Sequence, residues 1–228
     1  ASGECEAAGV DTEADHANKV LKLNHEMCDV VAVVSQRSAC APGGRESILY
    51  TATMVWLLAR STRNRHNLAR ARLTRALLQS IVQFWPIVDS GTTAALLTVE
   101  RLLAALWILL YETTAVEHLL EPFAVDDDPH AVGVEKSSAV RSARSHGGMG
   151  LLLSVFGASE ARCFAPLRYI TLSCLWVAGA HSVPSREAAL SAGAQALRPL
   201  LVAGHDECQP ASLRLRATAV LHCLLFTN

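Results

Sequence analysis

Three aliphatic–tryptophan pairs, Val55-Trp56, Leu106-Trp107 and Leu175-Trp176, fall within long apolar stretches, and Leu221-His222 stands in the same context near the C-terminus. The intervals between them are 51, 69 and 46 residues. Nine or ten residues after each tryptophan the chain enters a short stretch of a second kind: Arg65-His-Asn-Leu-Ala-Arg-Ala, Val116-Glu-His-Leu-Leu and Arg186-Glu-Ala-Ala-Leu-Ser-Ala. Two signals recurring in the same order indicate supersecondary units that cannot bury their apolar faces alone and must stack on their neighbours. The competing reading is a Leu/Ala-rich helical bundle whose segments match one another by chance.

Hydrophobic spacing reads as helix nearly throughout. From Val20, the residues Leu23, Met27, Val30, Val31 and Val34 form one helical stripe, which Ser38–Gly44 breaks. Helices are expected over 46–60, 65–71 and 72–85, the last ended by Pro86. The turn residues of 89–93 introduce a long helix over 94–112 whose Leu, Val and Ile lie on several faces, so that it has to be covered from more than one side. Further helices are expected over 117–123, limited by Pro122, then over 137–145 and 149–156, through Ile170–Val177, and over 185–193, 196–202 and 211–225. Gly147-Gly148 reads as a tight joint between two of them. No alternating β-branched run flanked by hairpin turns occurs, so a sheet is not expected.

The region after Gly147 carries the most specific signal. A short helix ending in Ala192-Gly193, a helix with the paired Leu200-Leu201 and a longer apolar helix from Ala211 together resemble an armadillo repeat. The resemblance covers most of residues 20–228. It implies an all-α fold, a right-handed α-solenoid of about four armadillo-like units. Their expected phase is 20–60, 61–113, 114–181 with an acidic insertion near 124–136, and 182–228, preceded by an acidic segment over 1–19. Units of 40–47 residues suit the last interval, and the insertion lengthens the one before it. Armadillo proteins that hold extended nuclear-import peptides place Asn four residues after the Trp. Here those positions are Arg60, Tyr111 and Ala180, so an importin-like role is not implied, and the three tryptophans are expected to be core.

A chain of 228 residues with 51% apolar and 18% charged residues can bury a substantial core, and 5% aromatic content suits Ala/Leu-packed helices. The longest apolar run, Leu102–Tyr111, is far short of the ~20 residues of a membrane span. Seven cysteines without a Cys-x-x-Cys pair point to free thiols in a reducing, cytoplasmic compartment, with cytoskeletal association one option. No signal peptide opens the chain, and the absence of an initial Met together with the incomplete first unit leads us to expect an excerpt of a longer array.

Charge is unevenly distributed. Glu4, Glu6, Asp11, Glu13 and Asp15 fill the first 18 residues without a Lys or Arg, whereas no Asp or Glu lies between Glu46 and Asp89. Within that second stretch Arg63, Arg65, Arg70, Arg72 and Arg75 are the expected contacts for a partner with an acidic surface or peptide, and Asp126, Asp127 and Asp128 of the insertion are secondary ones. A solvated helical edge, or a cradle for the chain's own acidic segment, would use the same arginines. The lack of interleaved aromatics weighs against nucleic acid. His205-Asp-Glu-Cys208 has no second ligand pair for zinc, Gly147-Gly-Met-Gly150 lacks the Lys-Ser/Thr of a phosphate loop, and no Gly-x-Ser-x-Gly elbow occurs. The expectation is a protein-binding scaffold or adaptor without catalysis, metal or cofactor. The alternative is a structural subunit of a large assembly, cytoskeletal and axonemal assemblies included.

Overall fold

The computed structural model describes residues 44–88, 93–122, 138–158 and 164–226, with the single positions Asp15, Lys19 and Glu26. The acidic N-terminal stretch, the helix expected from Val20 and the insertion bearing Asp126, Asp127 and Asp128 lie outside the described residues, save for those single positions. The described chain is all-helical. Its elements are α1 (Gly44–Ala59), α2 (Thr62–Arg70), α3 (Leu73–Val88), α4 (Thr93–Leu109), α5 (Thr113–Leu120), α6 (Ser138–Gly157), α7 (Ala165–His181), α8 (Val183–Ser191), α9 (Gly193–His205) and α10 (Ala211–Phe226), and no strand occurs among the described residues.

After α1, a short helix and two longer ones alternate three times. Each helix packs on its counterpart three elements later: α1 on α4, α4 on α7 and α7 on α10; α3 on α6 and α6 on α9; α2 on α5 and α5 on α8. The helices therefore lie in a short row (α2, α5, α8), a middle row (α3, α6, α9) and a long row (α1, α4, α7, α10). One continuous apolar cluster from Ile48 to Leu224 fills the space between the rows. Helix α4, covered by α1, α3 and α7, buries ten of its residues, which accounts for the apolar character of its several faces.

Sharp corners join two of the short helices, α2 and α8, to the middle helices that follow them. Arg72 at the α2–α3 corner has φ 59°, and Gly193 at the α8–α9 corner has φ 85°, so both occupy the left-handed region that favours glycine. The middle row holds the Gly147 joint expected from the sequence. Helix α6 breaks at His146 (φ −129°) and Gly147 (φ 59°), where the backbone closes onto the C-terminal end of α5. A β-carbon on Gly148 would stand 2.8 Å from the Leu119 carbonyl oxygen and 2.4 Å from its Cδ1, so no larger residue fits without displacing α5.

Several boundaries differ from expectation, among them the start of α2 at Thr62 in place of Arg65. Helix α3 runs two residues beyond Pro86 because Val82, Phe84 and Trp85 anchor the segment in the core, and the φ that proline imposes is itself helical. The expected single helix over 94–112 ends at Leu109, and α5 starts at Thr113 rather than Glu117, with Glu112 as its N-cap. No Gly or Pro marks that break. The carboxylate at Glu112 is instead recruited by side chains of α2, described below.

Candidate protein-binding face

The long row resolves the aliphatic–tryptophan pairs. Neighbouring residues on a helix do not face the same way. Val55, Leu106 and Leu175 are fully buried and Leu221 nearly so, whereas the residue after each turns outward. Trp56 and Trp107 are partly exposed, His222 is exposed and Trp176 is 52% exposed. The expectation that all three tryptophans belong to the core is corrected for Trp176: Trp56 and Trp107 are partly buried and pack against the core, whereas Trp176 is half exposed.

Ring contacts of Trp56 and Trp107 reach towards the neighbouring helix of the row. Arg60 and Arg101 lie over the Trp56 ring at 5.4 and 5.7 Å. Trp107 meets Tyr111 edge-on at 6.3 Å, and Tyr111 meets His181 at 6.1 Å. Arg216 lies 5.4 Å over Tyr169 and donates to Ser173 Oγ at 3.0 Å, while the Tyr169 hydroxyl shares a short hydrogen bond with Ser212 Oγ. Where α4, α7 and α10 meet, a groove of about 270 Å³ opens between Trp107, Leu172, Trp176, Leu215, Arg216 and Val220. Its lining is mostly apolar, with the Arg216 guanidinium as its cation, and Trp107 Nε1 at its base has no acceptor among the described residues. The volume is close to the lower bound of small-ligand pockets, about 300 Å³, and has room for one or two side chains.

The structure divides the arginines expected to contact a partner. Arg65 Nε donates to Glu112 Oε1 at 2.8 Å, and His66 Nδ1 lies 3.3 Å from the other carboxylate oxygen. The Arg65 hydrogen bond, working against the effect of burial, holds the Glu112 carboxyl below its ordinary range. Arg75 Nη1 donates to Glu121 Oε2 at 2.7 Å. These two arginines therefore strap α2 and α3 to the two ends of α5, through partners 46 or 47 residues away. Arg63, Arg70 and Arg72 are exposed, with no carboxylate partner among the described residues. Asp126, Asp127 and Asp128 lie outside the described residues.

A larger cavity, of about 490 Å³, lies between α6, α7 and α9. Three of the polar residues that line it engage one another. Buried Arg168 stacks on Phe156 at 4.9 Å and donates to Gln209 Oε1 at 2.6 Å, and Gln209 in turn donates to Asp206 at 3.0 Å. The Gln209 bond, with that from the Cys208 amide, holds the Asp206 carboxyl below its ordinary range. Cys174 is fully buried, its thiol is pushed far up by burial, and it donates to the Leu103 carbonyl at 3.4 Å, so it joins α7 to α4 as a packing residue. Among the described residues no group of three or more His, Cys, Asp and Glu side chains is placed to hold a metal ion, and no helix is long and apolar enough to cross a membrane.

No protein-family model matches the chain, and no curated protein or solved structure is significantly similar to it.

Proposed function

We propose that the chain is a non-catalytic protein-binding scaffold built as a right-handed α-solenoid of armadillo-like units, and that the exposed face of its long row is the principal docking surface. The observation that carries this reading is the half-exposed Trp176 in an apolar groove edged by Arg216. Tryptophan and arginine dominate the energetics of protein interfaces. The row packing supports the solenoid, since every short, middle and long helix meets its counterpart in the next triplet. The unit boundaries follow the starts of α2, α5 and α8 at Thr62, Thr113 and Val183. Free thiols at Cys174 and Cys208 support a reducing, cytoplasmic setting. A surface ordered in advance loses little conformational entropy on binding, which suits an adaptor.

The partner presents an apolar side chain to the groove and a carboxylate to Arg216. The test is capture from native extract by the immobilised chain, followed by cross-linking and mass spectrometry. Trp176→Ser combined with Leu215→Ser should abolish capture while leaving the melting temperature nearly unchanged, because both side chains are already exposed. Undiminished capture by a folded double variant would remove the groove from the account.

A permanent structural subunit is the second reading, favoured by apolar side chains exposed at the two ends of the long row: Tyr50, Met54 and Leu57 on α1, and Leu215, Leu225 and Phe226 on α10. The readings part on the isolated chain's behaviour. A dispersed monomer at high concentration supports the adaptor, and association without a partner supports the subunit.

A further inference from the structure

Arg72 stands where the backbone favours glycine. Its φ of 59° places a side-chain-bearing residue in the left-handed region, at a corner whose counterpart between α8 and α9 is Gly193. A non-glycine residue in that conformation is strained, and strain that persists in a fold points to a role for the side chain. The Arg72 side chain is exposed and takes no part in the ion pairs that occupy Arg65 and Arg75. Arg70 lies two residues before it, and Arg63 is seven residues before Arg70. Seven residues are nearly two helical turns, so Arg63 and Arg70 share one face of α2 about 10.5 Å apart along its axis. Both are exposed.

We propose that Arg63, Arg70 and Arg72 form a second docking strip, along the outer edge of α2 and its corner with α3, for an extended acidic protein segment whose carboxylates recur every third residue. A polyproline II chain advances about 9.3 Å in three residues and brings the side chain back to the same face, which matches the Arg63–Arg70 separation. Three observations favour a protein segment over other anions. Helix α2 contains no Phe, Tyr or Trp, and its one imidazole, His66, lies against the Glu112 carboxylate, so the strip is a poor platform for bases. The whole chain carries a net charge of −1, without the basic excess of a nucleic-acid-binding domain. No large apolar side chain is exposed among the described side chains of α2 and α3, which leaves a lipid surface nothing to accept from them but charge. Arg65 and Arg75, whose charges the fold already uses, are not members of the strip.

The probe is a fluorescein-labelled peptide of alternating Glu-Gly-Ser triplets, titrated with the full chain by fluorescence anisotropy at low and near-physiological salt. A glutamine version of the peptide, a short DNA duplex and phosphatidylserine vesicles run in parallel. The glutamate peptide should bind, weakening as salt rises, and the glutamine peptide should not. Combined Arg63→Ala, Arg70→Ala and Arg72→Gly substitution should weaken binding about tenfold, taking the loss of three exposed charge pairs together. Arg72→Gly alone should weaken binding and at the same time raise the melting temperature, since glycine relieves the strained corner. That opposition separates a binding residue from one kept for stability. Unchanged binding by the triple variant, no binding of the glutamate peptide, a melting temperature lowered by Arg72→Gly, or tighter binding to duplex or vesicles would each overturn the proposal. Loss of groove-dependent capture through Trp176 and Leu215 would leave it standing, because the two surfaces share no residue.

Discussion

At the level of single residues, Gly148 is the position where the backbone has least latitude. Its would-be β-carbon meets the Leu119 carbonyl oxygen at 2.8 Å, and a carbonyl at the end of a packed helix cannot swing aside as a side-chain tip can. Gly148→Ala is therefore expected to destabilise the chain by about 3 kcal/mol or more, the upper end of overpacking effects, as measured by urea denaturation. Gly193 offers the contrast. Nothing lies within 4 Å of its would-be β-carbon, so its requirement is conformational and not steric. The Gly147-Gly148 joint was legible in the sequence because a glycine pair inside an apolar helical stretch has few other physical explanations. The side of the core on which each tryptophan lies was not legible, because Val55-Trp56, Leu106-Trp107 and Leu175-Trp176 are apolar at both positions and hydrophobicity cannot rank two apolar neighbours.

At the level of elements, α5 is the best-anchored of the short helices by charge. Glu112 at its N-cap accepts from Arg65 of α2, and Glu121 at its C-cap accepts from Arg75 of α3. The first carboxylate also suits the positive end of the helix dipole, whereas the second sits at the negative end and relies on Arg75. The folded-state pKa of Glu112 is depressed, so its stabilising contribution is complete above the unfolded-state value of about 4.3 and is lost as pH falls through the lower folded-state value. Glu112→Gln should accordingly cost about 1 kcal/mol near neutral pH, and the difference from the unsubstituted chain should shrink in urea titrations below about pH 4. A difference that stays constant down to full protonation would assign the loss to packing. These ties could not be read from the sequence. The run of arginines without nearby acids looked uncompensated because its acids lie 46 and 47 residues further on, and only the stacking of rows brings them together.

For the whole molecule, stability is expected to be graded. In a stacked array each helix gains most of its burial from the neighbours on either side, so the ends hold fewer contacts than the middle. Helices α4 and α7 are covered by long-row neighbours on both sides, whereas α10 leaves Leu215 73% exposed. Native-state hydrogen exchange should find the slowest amides in α4 and α7 and faster ones in α10. Uniform protection across the three helices would show a single cooperative core in place of a chain of coupled units. All-helical character was legible throughout because apolar periodicity and the lack of alternating strands agreed with one another. The boundary at Glu112 was not, since it depends on a contact between helices and carries no local breaker.

Three rows continue unbroken although the tryptophans that mark the units are 51, 69 and 46 residues apart. The extra length of the middle interval falls between α5 and α6, yet α5 still meets α2 and α8, and α6 still meets α3 and α9. Spacing along the chain and spacing along the stack are therefore decoupled at this one connection. Helical rows joined in this way can lengthen, shorten or exchange that segment as a cassette, acquiring a new appendage without disturbing the packing on either side of it.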